Sequence, residues 1–109
     1  MLIFTISIFY TMEIISTSTS KQVIKIIPRE LVTDLYIYVV DKQNDSKFIN
    51  QNEIGLINNE FLTVPFTATF FKEGGYYFIK VDNVSGDRIW QGELFCTDKT
   101  DLQNYKIDE

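Results

Sequence analysis

The sequence predicts an all-β protein, and three observations support that prediction. Runs rich in aromatic and β-branched residues recur along the chain, and several of them alternate between apolar and polar side chains. Turn-forming residues separate these runs about every ten residues. No segment of the sequence shows a sustained helical period. Together these features predict an antiparallel β-sandwich of about six to seven strands.

A hairpin in the last third of the chain carries the clearest strand signals. Tyr76 to Val81 and Arg88 to Cys96 are both rich in aromatic and β-branched residues, and a polar segment with Gly86 separates them. This arrangement is typical of two antiparallel strands joined by a turn. Because alternate side chains share a face, we expect Tyr77 and Ile79 to point into the core. A hairpin is only marginally stable alone, so the rest of the chain must cover it.

Other runs predict further strands. The clearest are Lys21 to Ile27, Thr33 to Asp41 and Phe61 to Phe71. In the second of these runs, Leu35, Ile37 and Val39 share one face, which we expect to pack in the core while tyrosines occupy the opposite face. Lys47 to Gln51 predicts a short return strand, and Ile54 to Asn59 predicts an irregular segment.

The chain length and the strand pattern favour one small domain with immunoglobulin-like topology, the commonest arrangement of this kind. The paired cysteines of antibody domains are absent from the sequence, so this expectation concerns architecture alone. We place the β-sandwich domain at residues 21–97 and a polar C-terminal arm at residues 98–109. Residues 1–20 then form an N-terminal extension, apolar at first and polar at its end.

The N-terminal extension begins with the most apolar part of the sequence, residues 1–15. This part is shorter than the about 20 residues that a membrane-spanning helix needs, and Glu13 interrupts it, so we expect no membrane contact. Three interpretations stay open for it. Translation starts at Met12 and the preceding residues are an upstream extension, or the segment is a poor secretion signal, or it is a genuine strand. A secretion signal would make the protein a secreted one.

The charge of the chain argues against nucleic acid as a partner. The net charge is −5, the isoelectric point is near 4.6, and the 10 basic residues are scattered without a run. Binding to nucleic-acid phosphates draws most of its affinity from clustered Lys and Arg. We therefore expect no nucleic-acid partner.

The sequence offers little for catalysis. It contains no histidine, which removes Ser-His-Asp and Cys-His arrangements and most zinc sites. Cys96 ends an apolar strand with no basic neighbour, and we expect a buried, unreactive thiol. Glu93 is singled out among the acids by its apolar strand setting, and we expect an exposed side chain rather than an active-site carboxylate. The sequence predicts no enzyme activity, no catalytic residue, no cofactor and no metal site.

Aromatic residues are the remaining positive feature of the sequence. Tyr36, Tyr38 and Phe71 fall on faces opposite the expected core, whereas Trp90 is assigned to neither face because Gly92 is a candidate bulge. Either a second sheet packs on these aromatic residues or they form an interface, since exposed aromatic patches mark partner sites. On the second interpretation, the candidate interface residues are Tyr36, Tyr38, Phe71, Trp90 and Tyr105.

Three segments carry a resemblance to a known group of proteins. They are the run from Lys25 to Arg29, the turn with Glu73 and Tyr77, and the closing strand Arg88 to Thr97, which reads Arg-Ile-Trp-Gln-Gly-Glu-Leu-Phe-Cys-Thr. The chain resembles small uncharacterised proteins of tailed bacteriophages, especially marine and gut phages including crAss-like ones. Their pattern is an Ile-Pro-Arg start, a Glu-Gly-x-x-Tyr turn and a closing Ile-Tyr-Arg-Gly-Lys-Ile-Phe-Cys-Thr strand.

The resemblance implies a non-enzymatic virion structural protein, either capsid-associated or part of the head-to-tail or tail assembly. Its expected partners are other virion proteins and further copies of itself, and its expected location is the virion, or the host cytoplasm during assembly. Trp90, Gln91 and Glu93 stand where the pattern has Tyr, Arg and Lys, so we expect no basic contact surface on this strand. The alternative is a carbohydrate- or surface-binding β-sandwich module with Tyr36, Tyr38 or Trp90 as stacking platforms.

Overall fold

The computed structural model describes residues 12–99, which form eight β-strands. The strands are β1 (Met12–Ile15), β2 (Gln22–Ile26), β3 (Asp34–Asp41), β4 (Asn44–Ile54), β5 (Leu56–Asn58), β6 (Phe61–Phe66), β7 (Tyr76–Asp82) and β8 (Arg88–Cys96). Within this range no residue belongs to a helix, so the described residues include no helix that could cross a membrane. The prediction of an all-β chain is confirmed, with eight strands rather than about six to seven.

The strands form two sheets. One sheet has five strands in the order β1-β8-β7-β3-β4, and the other has three strands in the order β2-β6-β5. All neighbouring strands are antiparallel except β1, which runs parallel to β8. Apolar side chains of both sheets meet in one shared core, an arrangement compatible with a β-sandwich.

The core follows from the alternation of side chains along the strands. Leu35, Ile37 and Val39 of β3 are fully buried, as are Tyr77 and Ile79 of β7, which confirms the inner faces expected from the sequence. The three-stranded sheet contributes a matching set of buried residues, Ile24, Ile26, Leu62, Val64 and Phe66. Burying one large apolar side chain stabilises the folded state by about 1.5–3 kcal/mol relative to leaving it exposed.

Strand β4 is longer than the sequence predicts. It runs from Asn44 to Ile54, and β5 follows within the segment that we expected to be irregular. The return strand predicted at Lys47 to Gln51 is therefore confirmed, but the expectation that it is short is wrong. Strand β4 pairs with β3 at its edge of the sheet, and its side chains are mostly polar and exposed. The apolar alternation that marks a strand in a sequence is consequently weak in β4, although its backbone ladder is long.

The chain leaves the three-stranded sheet earlier than the sequence predicts. Strand β6 ends at Phe66, and the chain then crosses to the five-stranded sheet. The Gln51 side chain holds this crossing, because its Nε2 donates to the Thr67 carbonyl at 2.6 Å and its Oε1 accepts from the Thr67 amide at 3.1 Å. Since the strand alternation stops there, Phe71 turns inward and is only 6% exposed. The prediction that Phe71 lies opposite the core is wrong.

The predicted hairpin is confirmed as β7 and β8, with Gly86 in the turn at a φ of 90° that favours glycine. Trp90 lies opposite Val81, and the next pair along the ladder is Arg88 with Asp82, so Ile89 has no partner on β7. The bulge is therefore at Ile89 rather than at Gly92. The Trp90 ring covers Gly92 on the core side of the sheet, where an added Cβ would come within 2.5 Å of that ring.

Strand β1 lies within the part of the chain that we assigned to the N-terminal extension. It forms one edge of the five-stranded sheet and pairs with the second half of β8, Glu93 to Cys96. Residues 1–11 and 100–109 lie outside the described residues. The expectations about the start of translation, a secretion signal and Tyr105 therefore stay predictions.

Candidate protein interface

One face of the five-stranded sheet packs on the core, and the other points away from it. Side chains of cross-strand partners lie on the same side of a sheet. The partners of Tyr38 and of its neighbours on β3 therefore identify the residues of this second face on all five strands. We call it the outer face. Its aromatic and apolar residues are Met12, Ile14, Tyr36, Tyr38, Val40, Phe48, Tyr76, Phe78 and Phe95. Its charged residues include Lys80, Asp82 and Glu93.

Large apolar side chains dominate the outer face. Four rings are well exposed, Tyr36 at 44%, Phe48 at 52%, Tyr76 at 42% and Phe78 at 42%. Monomeric soluble proteins rarely expose contiguous apolar patches larger than a few hundred Å², and larger patches mark partner or ligand sites. Aromatic residues are also enriched in the buried centres of protein interfaces. The outer face therefore has the composition of a protein-binding surface.

Neighbouring rings on the outer face contact each other across strands. The ring centroids of Tyr38 and Phe48 are 5.8 Å apart, and those of Tyr76 and Phe95 are 5.0 Å apart. The Lys80 ammonium lies 5.5 Å from the centroid of the Tyr38 ring. Cross-strand pairs of this kind contribute about 0.2–1 kcal/mol each. They also restrict the rotamers of these side chains, a property that lowers the entropy cost of any contact on this face.

An ion pair lies among these rings. Lys42 Nζ is 3.2 Å from Glu93 Oε2, and the same ammonium lies 4.8 Å from the centroid of the Phe78 ring. Glu93 is only 6% exposed, because β8 lies between two strands whose side chains, Met12 and Phe78, flank the carboxylate. The expectation of an exposed Glu93 is therefore wrong. The Lys42 side chain stays 32% exposed, so one ammonium is accessible to solvent beside the Tyr76 and Phe78 rings.

Two of the five residues that the sequence indicated as an interface lie on the outer face. Tyr36 is exposed and Tyr38 is partly buried. Phe71 lies in the core, and Trp90 packs against the core from the inner side of β8. Tyr105 lies outside the described residues. The structure therefore brings together the tyrosines of β3 but separates them from Phe71 and Trp90.

Sequence reasoning missed Phe48, Tyr76 and Phe78 as members of this surface. A signal was present for Phe78, which alternates with the buried Tyr77 and Ile79 and so had to point outward. Phe48 was harder to place, because the polar neighbours in β4 obscure the alternation that would mark its face.

The described residues offer no obvious reactive group. Within residues 12–99, no three His, Cys, Asp or Glu side chains are grouped so that they could hold a metal ion. Cys96 is fully buried, as expected, and burial together with the charges of Asp98 and Glu73 raises the pKa of its thiol to about 11. A thiol with such a pKa stays protonated at neutral pH and is a weak nucleophile.

A small pocket adjoins the outer face beside Tyr36. Its volume is ≈ 430 Å³, and its lining residues are Tyr36, Asn50, Asp82, Val84, Ser85 and Gly86. An exposed ring therefore stands next to an amide, a carboxylate and a hydroxyl. A ring to stack on and polar groups that fix orientation are the usual elements of a small-ligand site.

No protein family, curated protein or solved structure matches the chain. The outer face therefore has to be interpreted from its own geometry. That geometry offers rings, aliphatic side chains and a carboxylate paired with Lys42. Rings and aliphatic side chains of this kind are suited to contact with another molecule.

Proposed function

We propose that this protein is a non-enzymatic structural component that binds other proteins through its outer face. The observation that carries the proposal is the concentration of exposed rings on one sheet, Tyr36, Phe48, Tyr76 and Phe78. Removing apolar surface from water contributes about 25 cal/mol per Å² to a complex before the entropy cost of association is subtracted. A few central aromatic residues usually account for most of the binding free energy of an interface.

We further propose that the partners are virion proteins of a tailed phage, including further copies of this chain. Support comes from the resemblance of the closing strand, Arg88 to Thr97, to phage proteins. Glu93 and Phe95 of that strand belong to the outer face. Both side chains are buried, so this segment supports the proposed contact surface from beneath, where the Phe95 ring packs against the exposed Tyr76 ring. The protein would act in the capsid, the head-to-tail connection or the tail.

The strand order supports a finer assignment of the fold, an immunoglobulin-like sandwich. In such folds one sheet contains strands G, F and C with an added C′, and the other contains B, E and D. The order β8-β7-β3-β4 follows the first pattern, and the order β2-β6-β5 follows the second. We propose this topology without the disulfide of antibody domains, since Cys96 is the single cysteine of the chain.

Mass spectrometry of purified phage particles tests the function. We expect the protein in the particles, and we expect a phage that carries Phe78→Thr to incorporate less of it. Threonine has a β-branched side chain suited to a strand, so the change removes the ring while the fold stays intact. Val23→Thr is the matched control, because Val23 is an exposed apolar residue of the other sheet.

Two results would count against the proposal. One is a protein that infected cells produce but purified particles lack. The other is an equal loss of incorporation in the Phe78→Thr and Val23→Thr phages, because the effect would then not come from the outer face.

The alternative function, carbohydrate binding, is favoured by the pocket beside Tyr36. An exposed ring with polar neighbours is the arrangement on which a sugar ring could stack. Trp90 is a poor platform because it is partly buried against the core. On this alternative, Tyr36→Ala abolishes binding to a glycan array and Phe78→Thr does not. An array without any binding would remove the alternative.

A further inference from the structure

Strand β4 is an edge strand whose backbone is open on one side. The two described sheets have four edge strands, β1, β2, β4 and β5. With 11 residues β4 is the longest of them, whereas β1, β2 and β5 have 4, 5 and 3 residues. Residues 48–54 pair with β3 without interruption, because the register shift of this ladder lies before Phe48. This stretch contains no proline and no lysine, two residues that commonly protect an edge from further pairing.

The register of β3 and β4 shows which backbone groups of β4 face the open side. The Gly55 amide donates to the Thr33 carbonyl at 2.8 Å, one step beyond the last pair of the ladder. Residues of an antiparallel strand alternate between those whose amide and carbonyl face one neighbour and those that face the other side. The odd-numbered residues of β4 therefore face β3, and the even-numbered ones face the open side. These are Phe48, Asn50, Asn52 and Ile54. Within residues 12–99, no backbone group bonds to them on that side.

Both described ends of the chain lie at the opposite edge of the five-stranded sheet. Met12 begins β1, and the Thr97 amide donates to the Ile15 carbonyl at 2.8 Å. The Thr17 amide donates to Asp98 Oδ1 at 2.9 Å. Strands β8, β7 and β3 lie between β1 and β4, which places the two edges about 19 Å apart at about 4.8 Å per strand. The open side of β4 therefore faces away from the points at which the described chain begins and ends.

The order of side chains in residues 48–54 is nearly the same in both directions. Gln51 is at the centre, with an asparagine on each side of it. An exposed apolar residue stands at each end, Phe48 at 52% and Ile54 at 62% exposure. Two antiparallel copies centred on Gln51 therefore place Asn50 opposite Asn52 and Phe48 opposite Ile54. Even-numbered residues face each other in this register, so their open amides and carbonyls can bond to one another.

The charges near the ends of this stretch favour the same orientation. Lys47 precedes it and Glu53 lies near its end, so an antiparallel copy brings unlike charges together at both ends of the new ladder. A parallel copy would instead set lysine beside lysine. Opposite charges on neighbouring strands stabilise a sheet, and like charges destabilise it. Glu53 uses Oε1 to bind Lys21 at 3.0 Å, and its other oxygen stays available to the lysine of the second copy.

We propose that β4 pairs with β4 of a second copy of this chain, antiparallel and centred on Gln51. The contact is a two-fold one, the commonest symmetry of protein dimers. The two five-stranded sheets then form one continuous sheet across the dimer. Side chains of cross-strand partners lie on the same side of a sheet, so the outer faces of both copies become one surface. The pairing itself does not depend on the proposed function, whereas the role of the joined surface in binding other virion proteins rests on it.

Disulfide trapping in the full-length protein tests the register. The variants Asn50→Cys and Asn52→Cys are mixed in the presence of oxidised glutathione, and mass spectrometry identifies the dimer that contains one of each. Opposed residues of a hydrogen-bonded pair have Cα atoms about 5.5 Å apart, which suits a disulfide. We expect this mixed dimer to form at least about tenfold faster than the one between Asn50→Cys and Val23→Cys, because pairing raises the effective concentration of the two thiols. Val23 is the matched control, since it is exposed on the other sheet, and Cys96 is fully buried in every variant.

Analytical ultracentrifugation tests the open edge. Asn50→Pro removes an amide that faces the open side, a position at which an edge strand tolerates proline. We expect the dissociation constant of the dimer to rise at least about tenfold, because the two-fold symmetry removes the hydrogen bond twice. Asn50→Thr is the matched control, since it keeps the amide, and we expect it to leave the dissociation constant unchanged. Circular dichroism checks that both variants fold.

Hydrogen exchange distinguishes pairing with a second copy from coverage by the chain itself. We expect the Asn50 amide to exchange quickly at concentrations where the full-length protein is monomeric and slowly where it is dimeric. Slow exchange at both concentrations overturns the proposal, because the chain itself would then cover the edge. A protein that stays monomeric overturns it as well, and so do equal rates in the two cysteine mixtures. Phe78→Thr should leave the mixed disulfide unchanged, so a failure of this pairing and a failure of the outer face as a binding surface give different results.

Discussion

The outward-pointing surfaces of the two sheets both contain exposed apolar residues, but they differ in how these residues are arranged. On the three-stranded sheet, Val23 and Leu56 are 59% and 70% exposed, and Leu56 lies opposite the polar Thr63. On the five-stranded sheet, rings contact each other across strands and surround the Lys42–Glu93 pair. The exposed fraction of single residues does not separate the two surfaces. Continuity between neighbouring side chains does, and this property is what a partner surface requires.

The largest expected effect on stability distinguishes a buried aromatic ring from an exposed one. Phe71→Ala should lower the free energy of unfolding by about 3–5 kcal/mol, because it leaves a cavity next to Phe66 and Tyr77. Tyr36→Ala, at a residue that the sequence grouped with Phe71, should lower it by less than about 1 kcal/mol. Urea denaturation measures both values. Similar losses in the two variants would contradict the placement of Phe71 in the core.

The second effect compares an ion pair on the outer face with one at the surface. Glu93→Gln should lower the free energy of unfolding by about 1–3 kcal/mol, because it leaves the partly buried Lys42 ammonium without its carboxylate. Glu53→Gln is the matched control and should cost less than about 1 kcal/mol, since its partner Lys21 is 56% exposed. Equal costs in urea denaturation would show that the outer face does not shield its ion pair.

The third effect tests whether the outer face is adhesive. Phe78→Thr should change the free energy of unfolding by less than about 1 kcal/mol, because the ring is exposed. It should nevertheless raise the protein concentration at which light scattering first detects association, since a contiguous apolar surface is interrupted. Val23→Thr should leave that concentration unchanged. Association that responds equally to both substitutions would remove the distinction between the two surfaces.

The smallest effect concerns Glu13, which lies opposite the buried Leu94 on the core side of β1. Burial raises the pKa of Glu13 above its ordinary value, so its carboxyl is more readily protonated in the folded than in the unfolded chain. The associated stability is present at low pH and is lost as the pH rises through the folded-state pKa. Glu13→Gln should therefore reduce the loss of stability between acid and neutral pH, because glutamine does not titrate. Urea denaturation at both pH values measures it, and an unchanged pH dependence would contradict the burial of Glu13.

Local alternation in the sequence was sufficient to predict the inner faces of β3 and β7. Tyr36 and Tyr38 point outward for the same reason, because their immediate neighbours in the chain are buried. The burial of two other side chains, Phe71 and Glu93, depends on contacts with distant parts of the chain, which local alternation does not reveal. The turn of Phe71 into the core follows the crossing held by Gln51, a residue from another strand.

The burial of Glu93 has a similar origin. It depends on Lys42 and on the side chains of both neighbouring strands, which a linear pattern does not place beside it. The outer face was predictable strand by strand, but its continuity required the register between strands.

Site-specific photo-crosslinking in infected cells tests the central claim most directly. A photoreactive phenylalanine replaces Phe78 on the outer face in one phage and Val23 on the three-stranded sheet in another. The account predicts that the residue at position 78 forms crosslinks to another virion protein or to a second copy of the chain, while the residue at position 23 forms few. Crosslinks at position 23 and none at position 78 would contradict it.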